Sequence, residues 1–245
     1  MSNVFGNLEV DANMEDSKDI LGGKREPLES DVYALKIKSA YITYSAKGAM
    51  AVNFDTITPE DRQFKFTEYV TSGKAKGCKN FYEDKDGNRR YLPGFNSVNA
   101  ICLLTVGKEL VKMPTEKKII PIYDFDTQQE EPTEVDVLST LAGKAFYAAI
   151  IRKIENKRKH NESTGDYEPT AETRTINEVD KIFKLKNKLT VLEIKAGKTE
   201  PVFMDQWLEK FKGVDKDVSK KIAGGGLNKA KLTGRKAPQA DMFED

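Results

Sequence analysis

Alternation of apolar and charged residues decides most of what this chain folds into. In "DVYALKIKSAY", Tyr33, Leu35 and Ile37 alternate with Ala34, Lys36 and Lys38. That period of two marks a strand with one buried and one wet face. A turn at Lys47-Gly48 follows, after which Met50, Val52 and Phe54 alternate with Ala51, Asn53 and Asp55. "RQFKFTEYV" repeats the scheme, with Phe64 and Phe66 on one face and Lys65, Thr67 and Tyr69 on the other. Three such strands with short connections predict an antiparallel meander. Its solvent face carries Lys36, Lys38, Lys65 and Tyr69.

Beyond the meander, "TSGKAKGCKNFYEDKDGNRRYLPGFN" holds a tight turn at Asp86-Gly87 and closes on Pro93-Gly94. A protruding hairpin over residues 72–94 is expected, rich in Lys, Arg, Tyr and Phe. "NSVNAICLLTVGKEL" spaces Val98, Ile101, Cys102 and Thr105 as a helix does, with Asn96 or Ser97 as N-cap and a stop near Gly107. Cys102 then reads as a small core residue. "YDFDTQQEEPTEVDV" reads as an acidic connector. "GKAFYAAIIRKIENKRK" fits a strand or a buried helix, and its β-branched and aromatic content favours the strand. Residues 161–175 read as a loop, with His160 at its edge; "TINEVDKIFKLK" and "KLTVLEIKAG" read as further strands. "DQWLEKFKG" reads as a short helix, with Asp205 as N-cap, Trp207, Leu208 and Phe211 on one face and Gly213 at its end. The fold class is therefore mainly β with a few helices.

Three regions follow: an acidic N-terminal arm (1–30), a folded domain (31–222), and a tail (223–245) too poor in apolar residues to fold alone. The tail releases at three glycines, turns basic, and ends on an acidic tip, Asp241, Met242, Phe243, Glu244 and Asp245. Neither a signal peptide nor a run of about twenty apolar residues is visible, which predicts a cytosolic chain with no membrane partner.

Charge enters through its distribution. The total is nearly balanced, 40 basic against 39 acidic residues, yet acid gathers at the N-terminus and in residues 124–136. The two cysteines, Cys78 and Cys102, are far apart and there is one histidine, so a thiolate–imidazole metal site lacks ligands and no cofactor is expected. The patterns of hydrolases, P-loop proteins and dinucleotide-binding folds are absent. One stretch has catalytic potential. Glu193-x-Lys195 on a strand, with Asp180 upstream, resembles the carboxylates and lysine that hold Mg²⁺ and orient water in restriction-type nucleases. In a chain this charged, the same spacing also describes the wet face of a strand.

Basic residues interleaved with aromatic ones give the stronger signal. Holding single-stranded nucleic acid without reading its sequence takes cations along the phosphates and flat rings against unpaired bases. The hairpin offers Lys74, Lys76, Lys79, Arg89 and Arg90 beside Phe81, Tyr82 and Tyr91, and a second group runs through Lys144, Tyr147, Arg152 and Lys153 and continues into Lys157 and Arg158. Charge segregation within a neutral total favours a nucleic-acid groove.

The segments "YALKIKSAYITYSAKGAMAVNF" and "TSGKAKGCKNFYEDKDGNRRYLPGFN", with an acidic Phe-containing tip, resemble bacteriophage single-stranded DNA-binding proteins over about residues 30–110. The resemblance implies an OB-like antiparallel five-stranded barrel with the inserted hairpin and added C-terminal elements. It implies sequence-independent binding of single-stranded DNA in phage replication and recombination, no catalysis, and action in the cytoplasm of an infected bacterium. Lys36, Lys38, Lys79, Tyr82, Arg89, Arg90 and Tyr91 are its implied DNA contacts. Asp241 to Asp245 are implied to recruit replication proteins such as a polymerase, helicase or recombinase, and the chain to form oligomers on DNA. A phage protein that binds a host enzyme and no nucleic acid is the alternative of another class.

Overall fold

The meander read from residues 31–69 forms in the computed structural model, which describes residues 26–124, 127–161 and 166–222. Strands β1 (Asp31–Tyr44), β2 (Met50–Ile57) and β3 (Gln63–Tyr69) pair antiparallel. Ala40 faces Phe54 and Phe54 faces Phe66, whose rings stack with centroids 4.8 Å apart. Leu35, Ile37, Val52 and Phe54 are buried as the alternation requires. The register shifts between Ile37 and Ser39, leaving Lys38 as an extra residue. This bulge resets the parity of β1, so that Ala40 and Ile42 turn inward after it while Tyr41 and Thr43 turn outward.

Strands β4 (Phe81–Glu83) and β5 (Arg89–Tyr91) form the expected hairpin as a separate two-stranded sheet. Helix α1 (Pro93–Thr105) starts earlier than the expected cap at Asn96 or Ser97, with Leu92 at the N-cap and Pro93 first. Proline fits there because its missing N–H has no helical partner to lose. Phe95, Val98, Ile101 and Cys102 carry the helix into the core.

The expected acidic connector is a hairpin instead, β6 (Glu116–Asp124) with β7 (Gln129–Val137). β8 (Ala145–Asn161) is the strand favoured above. It pairs with β9 (Asp166–Lys184), which takes in most of the span read as a loop. His160 accordingly lies on β8, its ring centroid 5.2 Å from that of Tyr167. The distal ribbon is wet on both faces, so it lacks the hydrophobic alternation that announces a half-buried strand. The strand expected at "KLTVLEIKAG" is helix α2 (Val191–Lys195), because Thr190 and Glu193 close a capping box. The expected short helix is α3 (Val202–Phe211), capped by Pro201 with Asp205 inside the first turn. β10 (Lys216–Asp217) runs parallel to β8.

The main sheet follows the order β9–β8–β1–β2–β3. One edge of β1 takes β8 along Asp31–Lys36 and touches β7 at Tyr41, while the other takes β2. Among the described residues β3 and β9 share no ladder, so the expected barrel is not closed. Helix α1 packs against both of these strands and covers the seam. Glu68, paired with Val52 on the core side of β3, feels the Glu178 charge on β9; burial, then that charge, push its carboxyl up to about 7.

The apolar interior divides in two. Phe54, Phe146, Ile150, Val98 and Ile101 belong to the cluster between sheet and α1. On the opposite face of β8, Ala149, Ile151 and Phe183 meet Met204 and Trp207 of α3, each large side chain contributing about 1.5–3 kcal/mol by burial. The Trp207 indole N–H donates to Asp180 Oδ2 at 2.7 Å, pinning α3 to the bulge in β9. None of the described helices is long and apolar enough to cross a membrane.

Candidate nucleic-acid interface

The inserted hairpin is fastened at its base to the end of β3. Ser72 N–H donates to the Lys79 carbonyl and Leu92 N–H to that of Asn80. Gly94 lets α1 seat there, since a Cβ at that position would lie 2.3 Å from the Tyr69 carbonyl oxygen. Tyr91 packs on Phe95 with centroids 4.8 Å apart. A 3-10 turn, Lys74–Lys76, leans against the β1–β2 turn: Lys74 N–H donates to the Lys47 carbonyl, and Gly48, at φ +76°, leaves room for the Lys74 stem.

Cross-strand pairing sorts the hairpin's side chains. Phe81 faces Tyr91, and Tyr82 faces Arg90. Because successive residues alternate between faces, Tyr82 and Tyr91 lie on opposite sides and form no common platform. Lys79 Nζ and Arg89 Cζ stand 5.5 and 5.1 Å from the Phe81 centroid, so that ring is capped by its own cations. Arg90 binds the Asp84 carboxylate, and that guanidinium, then the Asn88 backbone N–H, hold Asp84 below the usual carboxylate range. Tyr82 remains 46% exposed.

The solvent face of the meander lies beside this hairpin. Tyr69 is 52% exposed on that face, level with Thr43 across Ala51. Asn53 joins the three strands on this face, donating to Thr43 Oγ1 and accepting from Thr67 Oγ1, both at 2.8 Å. Among the described residues Lys36, Lys38, Lys74, Lys76, Lys79 and Lys144 are exposed cations with no carboxylate partner. Beyond Lys144 and as far as Lys153, the second group is engaged. Tyr147 packs into the α3 cluster, Arg152 makes a two-pronged bond to Asp215 at 2.6 and 3.0 Å, and Lys153 meets Glu178 at 2.6 Å. The sequence reading did not find Tyr41, which the bulge turns outward, or His160 and Tyr167, which the β8–β9 ribbon brings to one face with Arg158. A period of two in "KRKH" and "DYEP" was the signal there.

Two of the three nuclease candidates, Glu193 and Asp180, are held in other contacts. Glu193 sits on α2, where its carboxylate accepts from Thr190 N–H and Phe203 N–H, both at 2.9 Å. Burial pushes that carboxyl up, but these donors outweigh it and hold it below its usual range. Asp180 is taken by Trp207, and Lys195 is at the exposed end of α2. The described residues contain no group of three or more His, Cys, Asp or Glu placed to hold a metal. Asp241, Met242, Phe243, Glu244 and Asp245 lie outside the described residues, as do residues 1–25 of the arm. No family model and no curated protein matches the chain.

Proposed function

We propose that this protein binds single-stranded DNA without sequence preference, in phage DNA replication and recombination inside the infected cell. The observation that carries the reading is that exposed Tyr69 ends β3 just before the loop of unpaired cations Lys74, Lys76 and Lys79, whose base is closed by the Ser72–Lys79 backbone bond. Stacked bases and tracked phosphates need that combination. The strand path β9–β8–β1–β2–β3, with α1 between β3 and β8 in the chain, supports an opened OB-like arrangement, whose ligands lie on the outer strand face and hairpins. Lys36 and Lys38 extend the cationic track along β1. The acidic tip Asp241–Asp245 recruits replication proteins in this reading.

Fluorescence anisotropy with labelled oligo-dT and with a duplex, each at two salt concentrations, tests it. Tighter binding of the single strand is expected, weakening with salt at a log–log slope of about −0.7 per phosphate neutralised. Equal affinity for the duplex, or no binding with co-purification of a host enzyme, would sink the proposal.

A further inference from the structure

The β6–β7 arm is acidic, with Glu116, Glu130, Glu131, Glu134 and Asp136 against Lys117 and Lys118. On one of its faces Ile119 is 71% and Tyr123 49% exposed. Between them Pro121 faces Pro132 across the ladder. Neither proline has an N–H, so theirs is a pair whose backbone positions point away from each other, toward the two outer edges. Each edge thus lacks a donor at its middle, which blocks continuous pairing with another strand. What the arm presents on this face is Ile119, Pro121, Pro132 and Tyr123 together with Glu134 and Glu130, which stand opposite Ile119 and Tyr123 across the ladder.

A surface of matching chemistry lies on the same molecule. A groove of about 360 Å³ is lined by Met50, Phe95, Leu110, Val111 and Met113, with Cys78 and Lys79 also lining it and no acidic side chain. Val111 is 71% exposed, and the unpaired Lys74 and Lys76 belong to the same loop as Lys79. We propose that this groove receives the arm of a second copy of this chain, Ile119 and the proline pair against the apolar lining and Glu130 and Glu134 of the same face toward the lysines. The chain's own arm is excluded because β6 springs from Thr115, itself part of the lining, and a paired strand does not double back onto its base. A stable interface takes about 800 Å² per partner, more than one small ribbon face supplies, so the exchange is reciprocal about a two-fold axis.

Cys78 makes the test direct. It is exposed in the groove, whereas Cys102 is buried and its thiol is pushed up to about 12 by burial. Mild oxidation of the Ile119→Cys chain without DNA should give a disulfide-linked dimer that wild type does not form and that Cys78→Ser removes. Sedimentation velocity of the wild type should show twice the mass of one chain, reduced to a single chain by Val111→Asp. Cross-linking within one chain, a dimer that survives Cys78→Ser, or a wild type that sediments as one chain at about 100 µM would each overturn the proposal.

Discussion

Two hairpins leave the same sheet and differ in almost every property. The inserted segment 72–94 with the β4–β5 hairpin is short and basic, and it is fixed to the end of β3 through Gly94 and the Tyr91–Phe95 contact. The β6–β7 arm is three times as long per strand, acidic, and joined to the main sheet through Tyr41 and Val137. Arginines on the first are internally neutralised while its lysines are not; on the second, Lys117 meets Glu134 at 2.7 Å and Lys118 meets Glu116 at 3.1 Å. Opposite charge on two projections of a nearly neutral chain separates a surface suited to polyanions from one that repels them.

The contrast can be broken most severely at Gly94. A valine there collides with the Tyr69 backbone, and stability in urea should fall by more than about 3 kcal/mol. A smaller loss would mean that the hairpin is not seated through this contact. Whether both projections hang from one settled sheet is tested next at Glu68. Its carboxyl, near 4.5 unfolded, rises to about 7 in the fold, so the native state holds the proton more tightly. Stability is then full below about pH 4.5 and declines as pH rises through 7, by at most roughly 3 kcal/mol. Glu68→Gln should flatten that decline in thermal melts; an unchanged pH profile would refute the seam as its origin.

Smaller effects sharpen the contrast in binding. Tyr69→Ala should weaken oligo-dT binding by about 1–3 kcal/mol, and Tyr82→Ala should act separately, since the two rings share no strand pair. Replacing Lys74, Lys76 and Lys79 together with Gln should lower the magnitude of the salt slope by about 2. The same change at Lys117 and Lys118 should leave the slope alone. Least of all, Ile119→Ser should shift stability by under about 0.5 kcal/mol. A larger loss in a dilute, DNA-free sample would show the arm packed within its own chain.

The meander and its inward residues were legible because one face of each strand is buried and the other is not. Legibility failed where that asymmetry ends. The ribbon beyond Glu155 is wet on both faces, and the acidic run over 124–136 hid a strand whose pairing with β6 is visible only in three dimensions. At α2 the deciding signal, Thr190 three residues before Glu193, was present in the stretch read as a strand. At the candidate interface, residue types were readable but their engagements were not. Arg152 finds Asp215 and Lys153 finds Glu178 at separations of 63 and 25 residues, which no local pattern reports.

The two-sided pairing of β1 has a consequence for the order of events on the ribosome. Its β2 edge is satisfied by residues made immediately afterward, but Asp31–Lys36 must wait for Ala145–Ile150. The lead-in waits longer still, since Leu28 bonds Asn177 and Ser30 bonds the Val214 carbonyl. At roughly 5–20 residues per second of synthesis, the open β1 edge stays without its partner for about 5–20 s. The nascent meander therefore spends seconds as a three-stranded sheet with Leu35 and Ile37 short of cover, an interval in which chaperones or a neighbouring nascent chain compete for that edge.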